Sequence, residues 1–358
     1  MRAHRYSSRM AKERIVSQSA QVSEPEGDLD PITLEIRPRL MREYIGQRAL
    51  VERLSIALDA ARKRGETMEH VLLHGPPGLG KTTLAHVIAA EMGSKAFVTS
   101  GPALTKAGDL VGTLTKMEER DVLFIDEIHR LPAAVEEYIY PAMEDRKIDF
   151  TLDNGMHARV VTIALKPFTL IGATTRAGML TNALRSRFGI AHHLEFYEHE
   201  DLVAILSRAA GILGMRSVAP DAFNAIAARA RGTPRIALRL LRRVRDYADV
   251  RSGGRADAET VAKALRLEGI DDRGLEDLDR KYMRAIADVY GGGPVGLEAV
   301  AATIAEDAGT LEDVVEPYLL QIGFLARTRL GRKLTKAGAD SIGFAFPPQT
   351  QADHNLSE

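Results

Sequence analysis

The 358-residue chain contains no cysteine, so neither a disulfide framework nor a thiolate metal site is open to it. That absence fits a reducing compartment, and the expected location is cytoplasmic. No apolar stretch approaches the about 18 residues that a membrane-crossing helix needs, and no signal peptide is visible. A surplus of one charge is also missing. The 48 Lys and Arg side chains meet 49 Asp and Glu, for a net charge of −1, which argues against whole-surface binding of nucleic acid. Any such contact must come from a local basic patch. The ten histidines are scattered, and His192-His193, with no metal-ligand spacing around it, reads as a partly exposed strand-end pair. There is no internal repeat or low-complexity block. The length suggests two or three domains.

What is present begins at Gly75-Pro-Pro-Gly-Leu-Gly-Lys-Thr-Thr83, directly after the apolar run Val71-Leu72-Leu73. A buried strand, a glycine-rich turn and a helix opening at Lys81 make a complete phosphate-binding loop. Gly75, Gly78 and Gly80 let the backbone curl with its N–H groups inward, at a helix N-terminus whose dipole favours anions. Lys81 can reach the β- and γ-phosphates, the Thr82 hydroxyl is placed to ligate Mg²⁺, and Thr83 completes the loop. These residues predict a binder of ATP or another nucleoside triphosphate.

Asp121-Val-Leu-Phe-Ile-Asp126-Glu127 is an apolar run ending in two carboxylates, which predicts a buried parallel strand whose carboxyl end faces that site. Asp126 is expected in the Mg²⁺ shell, and Glu127 is the candidate to orient and deprotonate the attacking water. Capping of a helix near Ile128 is the simpler role for either acid.

Short apolar runs at Val71–Leu73, Phe97–Thr99, Val122–Ile125, Thr169–Ala173 and His193–Phe196 alternate with helical patterns. The expected fold is α/β, a parallel sheet covered by helices on both faces. From Asp201 to about Glu268 the periodicity is helical throughout, with Pro220 and Pro234 opening two of the helices. Residues 146–167 predict a β-hairpin. Asn154-Gly155 supplies the turn; Ile148, Phe150 and Leu152 share one face, as do Val161, Ile163 and Leu165. A two-stranded ribbon cannot bury that face alone, so it either lies against the domain or projects to meet a partner. The expected division is a disordered arm over 1–30, an α/β nucleotide-binding domain over 31–197, an all-helical domain over 198–270, a further unit over 271–346 and a frayed tail over 347–358.

In that last unit the pattern predicts helices at Asp279–Val289, Leu297–Ala308 and Leu311–Ile322, a turn at Gly291–Pro294, then a short strand at Phe324–Thr328 and a loop at Gly331: a winged helix. Residues 317–339 hold Arg327, Arg329, Arg332, Lys333 and Lys336 and no acid. Phosphate contacts from these would give salt-dependent, largely sequence-independent affinity. A solvated polar loop is the alternative.

Several motifs occur in a fixed order. They include Glu43-Tyr-Ile-Gly-Gln47, Phe124-Ile-Asp-Glu-Ile-His-Arg130, Tyr140-Pro-Ala-Met-Glu-Asp145 and Ile171-Gly-Ala-Thr-Thr-Arg-Ala-Gly178. Leu184-Arg-Ser-Arg-Phe-Gly189, Arg231-Gly-Thr-Pro-Arg235 and Gly291-Gly-Gly-Pro-Val-Gly-Leu297 come after them. Over roughly residues 31–345 the chain resembles the RuvB family of AAA+ motors, which drive branch migration of Holliday junctions in recombination and repair.

The resemblance implies further roles. Ile36, Arg37, Tyr197 and the backbone of Glu144, Asp145 and Arg146 match nucleotide-contacting positions. Thr174 resembles the sensor threonine, Arg187 the arginine finger that enters a neighbouring subunit's site, and Arg235 the second sensor. Arg327 and Arg332 match DNA-contacting wing positions. It also implies hexameric rings on duplex DNA, docking of the junction-binding partner RuvA on the 146–167 hairpin, and the RuvC resolvase as a further partner. The chain departs from the family pattern at Arg146, where an aromatic is usual, and at Leu238, where asparagine is usual. In the wing, Thr328-Arg-Leu-Gly-Arg332 replaces Thr-Pro-Arg-Gly-Arg, and the hairpin lacks a Gly-Pro tip. A clamp loader or initiator shares the ATPase core, but no collar domain or base-reading helix is found here. In a different class, an ATP-gated DNA-binding switch would bind nucleotide without turning it over.

Overall fold

Residues 35–151 and 160–346 are described by a computed structural model. The expected N-terminal arm, the Asn154-Gly155 turn and the C-terminal tail lie outside them. The chain forms two compact units. Ile45–Arg48 and Pro76–Gly80 group with the second, Leu194 onward; the rest of the chain up to His193 forms the first.

In the first unit five strands pair in parallel: β1 (Val71–His74), β2 (Ala96–Ser100), β3 (Val122–Asp126), β6 (Thr169–Thr174) and β7 (Ile190–His193). The intervening β4 (Lys147–Thr151) and β5 (Val160–Ala164) form the hairpin. The sheet order is β2-β3-β6-β1-β7. Strand alternation explains the apolar runs, because both faces are covered. Leu72, Leu123, Ile125 and Leu170 point to one face, in a core shared with Leu110 and Leu114 of helix Ala107–Leu114 and Val135 and Ile139 of helix Ala133–Glu144. Leu73, Phe124 and Ile171, on the other face, are equally buried. Helix Lys81–Met92, which buries Leu84, Val87 and Ile88, packs against β2, β3 and β6.

The last expected strand, His193–Phe196, is displaced. The paired segment is Ile190–His193, with Ile190 opposite Val71 and His193 opposite His74. β1 ends at His74, so the chain has no ladder partner beyond His193. The carboxyl ends of β1, β3 and β6 are adjacent, as the residues they carry require of a ligand crevice.

The hairpin divides along its length. Ile148 opposes Ile163 and is buried with Leu165 in the first unit's core, whereas Val161 is 40% exposed. Of the two placements the sequence left open, lying against the domain describes the Ile148 end, and Val161 stands partly exposed.

The second unit contains helices His199–Ile212, Pro220–Ala227, Pro234–Arg251 and Ala258–Leu267. A two-residue parallel pair, β8 (Ser217–Val218) with β9 (Arg255–Ala256), was not anticipated. Helices Asp277–Asp288 and Leu297–Ile304 come next, and Ala305, at φ 55°, stops the latter short of the expected Ala308. The expected third helix starts instead as a π-helical turn over Leu311–Val315. The Glu316 N–H reaches back to Leu311 O, ahead of Pro317, which has no N–H to donate. An antiparallel pair, β10 (Leu325–Thr328) with β11 (Gly331–Leu334), closes the wing. Gly331 thus begins a strand, and Arg329-Leu330 alone forms the tip.

Candidate nucleotide and DNA sites

The phosphate loop is tied into the sheet at its first residue: Gly75 N–H donates to Thr174 O at 3.1 Å, one step beyond the end of β1. Gly75, Gly78 and Gly80 all have positive φ. The buried Lys81 ammonium donates to Gly75 O at 2.9 Å, so the cation is held beside the loop it serves. Thr82 and Thr83 continue the first turn of the helix that Lys81 opens.

At the end of β3, Asp126 Oδ1 accepts from the Glu127 N–H at 2.9 Å. Glu127 occupies the left-handed region at φ 49°, ψ 42°, a conformation that costs a non-glycine residue on the order of 1–3 kcal/mol. Its carbonyl is fixed by Arg130 N–H at 2.8 Å and by the close approach of Gly101, where a Cβ would lie 2.4 Å from that oxygen. The next three residues, Ile128–Arg130, form a 3-10 turn and not an α-helix, so simple helix capping does not account for Glu127. Its carboxylate lies 3.5 Å from His129 Nε2, and His129 Nδ1 lies 2.8 Å from Thr174 Oγ1. Thr174 is fully buried, and its hydroxyl also accepts from Arg176 N–H at 2.9 Å. A carboxylate only accepts, so the ring nitrogen facing Glu127 carries a proton, while Nδ1 shares a hydrogen bond with the threonine hydroxyl. The sequence reading gave His129 no role. Its signal was its position, two residues past the glutamate on a tight turn.

Glu144, Arg146 and Arg187 assemble elsewhere in the same unit. Arg187 Nη2 donates to Glu144 Oε2 at 3.2 Å and Nη1 to Ala183 O at 2.6 Å, with the guanidinium 4.4 Å from the Tyr140 ring centroid. Nε lies 3.1 Å from Glu144 Oε1, an ion-pair distance at an angle that leaves this buried N–H without a hydrogen bond. The Tyr140 hydroxyl bonds Glu136 and Thr181, and Thr181 caps the short helix Asn182–Arg185 that leads into Arg187. Arg146 and Arg187 line a cleft of about 320 Å³ with Glu69, His70 and Phe168, and no phosphate-loop residue lines it. Burial lowers the His70 imidazole pKa; the bond to Met143 O opposes the shift and the Arg146 charge adds to it. Asp145 stands at the surface, paired with Lys147 at 3.4 Å. Ile36 is buried and Arg37 half-buried. His74 and His193 are in contact, Nδ1 to Nδ1 at 3.1 Å. Among the described residues, no cluster of three or more His, Cys, Asp or Glu side chains could hold a metal.

Within the second unit, Tyr197 and Arg235 meet the middle of the phosphate loop. The Tyr197 hydroxyl donates to Leu79 O at 3.3 Å, and Arg235 N–H reaches Gly78 O at 3.4 Å. Pro234 opens the helix, as expected, and leaves the Arg235 side chain exposed.

The wing arginines are paired across the hairpin, Arg327 opposite Arg332, and both close on Glu316, which is fully buried. Arg327 Nε donates to Glu316 Oε2 at 2.7 Å, Arg332 Nε to Oε1 at 2.8 Å and the Tyr282 hydroxyl to Oε1 at 2.5 Å. Burial works to raise the Glu316 pKa, but the hydrogen bonds from Arg332, Tyr282 and Arg327 prevail and hold it below the ordinary carboxylate value. Tyr282 is pushed upward, by burial first and then by Glu316.

Comparison with known proteins agrees along the chain. Family models match in order: the Holliday junction DNA helicase RuvB P-loop domain over residues 36–194, the RuvB AAA lid domain over 197–271 and the RuvB C-terminal winged-helix domain over 272–343. The Holliday junction branch migration complex subunit RuvB of Desulfosudis oleivorans is 51% identical over 338 residues, covering 93% of this chain and 98% of its own. The solved structure of the Thermotoga maritima RuvB Holliday junction branch migration motor superposes with a TM-score of 0.79 at 49% identity, over 87% of this chain and 99% of its own. A mutant of RuvB from that organism gives 0.81 at 48%, over 87% and 100%. With half its residues identical across nearly the whole of such a relative, and with all three domains in order, the chain belongs to the RuvB family of P-loop ATPases.

Proposed function

We propose that ATP held on Gly75–Thr83 is hydrolysed by water that Glu127 activates, in a site that Arg187 of a neighbouring copy completes. The chain is an ATP-driven motor of Holliday-junction branch migration. The observation that carries the mechanism is the separation within the first unit: Glu127, His129 and Thr174 stand at the strand ends, while Arg187 is held by Glu144 and Tyr140 around a cleft that no phosphate-loop residue lines. An arginine so placed serves a site other than its own. Glu144 pairs with Arg187 and Arg146 lines the same cleft, so their nucleotide contact is assigned to the neighbour's ligand as well.

The residues at the loop suit Mg²⁺. Thr82 and Asp126 offer hard oxygen ligands, and that ion takes few protein groups beside phosphate oxygens and water. Bound there, it would offset the charge between the β- and γ-phosphates. Glu127 holds the water and takes its proton. His129 fixes the carboxylate and Thr174 together, and Tyr197 and Arg235 read the state of the loop at Leu79 and Gly78. A finger of this kind contributes roughly 10³–10⁵ in rate where measured in other NTPases.

The remaining assignments come from the family. They are domains at 31–197, 198–270 and 271–346, hexameric rings, Ile36 and Arg37 near the base of the nucleotide, duplex DNA on the wing at Arg327 and Arg332, RuvA on the 146–167 hairpin, and RuvC as a further partner. The test is hydrolysis and binding measured side by side. Glu127→Gln should keep ATP affinity and lose DNA-stimulated phosphate release; equal release from variant and wild type refutes the base. A mixture of Arg187→Ala and Lys81→Ala chains should regain turnover that neither has alone, because one supplies an intact loop and the other an intact finger. Co-assembled chains that stay inactive refute the shared site.

A further inference from the structure

The His192-His193 doublet has no metal-ligand spacing in the sequence, and the fold splits it. Along a strand, successive side chains take opposite faces of the sheet. In the parallel pair of β1 with β7, His192 stands opposite Leu73 on one face and His193 opposite His74 on the other. His74 and His193 are the last pair of that ladder, and β7 is an edge strand of the sheet. Their ring centroids are 4.9 Å apart, and Nδ1 faces Nδ1 at 3.1 Å. His74 is half-buried and His193 exposed, so water reaches the pair.

Two ring nitrogens that meet in this way can share one proton or hold one metal ion. Nitrogens about 2.0–2.1 Å from a common Zn²⁺ stand about 3.4 Å apart at the tetrahedral angle and about 2.9 Å apart at a right angle. The observed 3.1 Å lies between the two. Coordination asks only that the donor ring move its proton from Nδ1 to Nε2, with no net release. Burial lowers the His74 pKa, and His193, Arg185, His192 and Lys81 add to the shift, so at neutral pH the ring is in the neutral form that ligates.

We propose that His74 and His193 form a two-imidazole site for a divalent transition metal, Zn²⁺, Cu²⁺ or Ni²⁺, which clips the edge strand to β1 beside the first residue of the phosphate loop. Among the described residues no group of three or more His, Cys, Asp or Glu gathers there, so water fills the rest of the shell. Imidazole suits these ions, whereas Mg²⁺ takes oxygen ligands, so the pair does not compete for the ion expected at Thr82 and Asp126. The Arg185 and Lys81 charges that act on His74 oppose a cation too, and with two protein ligands the site is weaker than a closed structural one. The site does not depend on the mechanism proposed for ATP.

The test is Zn²⁺ titration of the untagged full chain without nucleotide, read by competition with a chromophoric indicator. His193→Gln, at an exposed position, should fold as the wild type does and weaken Zn²⁺ binding at least about tenfold, the scale on which even the partners of metal ligands act. His74→Gln should weaken it equally, and the double variant no further, because either change dismantles the same site. His192→Gln, on the other face, should keep the wild-type affinity. Cu²⁺ on the wild type should show hyperfine coupling to two imidazole nitrogens in electron paramagnetic resonance, and on His193→Gln to one at most. Zn²⁺ affinity that is absent from the wild type or equal in His193→Gln overturns the site, as does an equal loss in His192→Gln.

Discussion

His129 joins Thr174 to Glu127: its Nδ1 lies 2.8 Å from the threonine hydroxyl and its Nε2 3.5 Å from the carboxylate. One nearly buried ring therefore couples the end of β6 to the carboxylate proposed to take the proton from water. His129→Ala removes the coupling without touching the phosphate loop. The kcat for ATP should fall roughly 10- to 100-fold, the scale on which a misplacement of about 1 Å acts, with ATP affinity unchanged. Steady-state phosphate release and nucleotide titration separate the two, and an unaltered kcat would make the imidazole mere packing.

The Arg187 guanidinium rests 4.4 Å from the Tyr140 ring, and the tyrosine hydroxyl holds the helix leading to Arg187 through Glu136 and Thr181. A cation over an exposed aromatic ring contributes about 0.5–1 kcal/mol. Tyr140→Leu should therefore lower kcat by roughly two- to fivefold, through the finger alone. In mixed assemblies the defect should appear when Tyr140→Leu chains supply the finger and vanish when they supply the loop. A defect that tracks the loop-supplying chain would sink this role.

Most of the sheet was legible because it is buried on both faces and each strand reads as an unbroken apolar run. The loop and the two carboxylates were legible because their chemistry fixes residue type and spacing together. His129 and Gly101 escaped because their roles depend on neighbours distant in sequence, Thr174 in one case and the left-handed turn at Glu127 in the other. The β7 boundary slipped because Leu194, though buried, lies past the last residue of β1 that could pair with it. In the wing, five cations read as one patch. Only the burial of Glu316, itself a helix residue eleven positions before Arg327, divides them.

Glu316 also sets how the wing responds to acid. Its pKa in the folded chain is lower than the ordinary carboxylate value, so the group stabilises the fold above that value and ceases to do so as pH falls through the lowered one. Thermal unfolding of the full chain should therefore show a loss in the acid range that Glu316→Gln lacks. At neutral pH the variant should be the less stable, since the charges of Arg327 and Arg332 lose their partner. Breaking one side of a buried pair costs about 3–5 kcal/mol. Parallel acid transitions in both proteins would contradict the linkage.

The hairpin offers a contrast within one ribbon. Ile148 and Val161 share its apolar face, but Ile148 is fully buried and Val161 is 40% exposed. A carboxylate at Ile148 would enter the core without a partner, so Ile148→Asp should destabilise the first unit and lower ATP turnover with it. At the exposed site a surface substitution normally changes stability by about 0.5 kcal/mol or less, so Val161→Asp should leave folding and unassisted ATP hydrolysis intact. If this end is where RuvA docks, the charge should weaken the pairing at least about tenfold, which corresponds to 1.4 kcal/mol. Junction unwinding with and without RuvA, beside a direct affinity measurement, reads the difference. Full RuvA affinity in Val161→Asp would move the docking surface off this face.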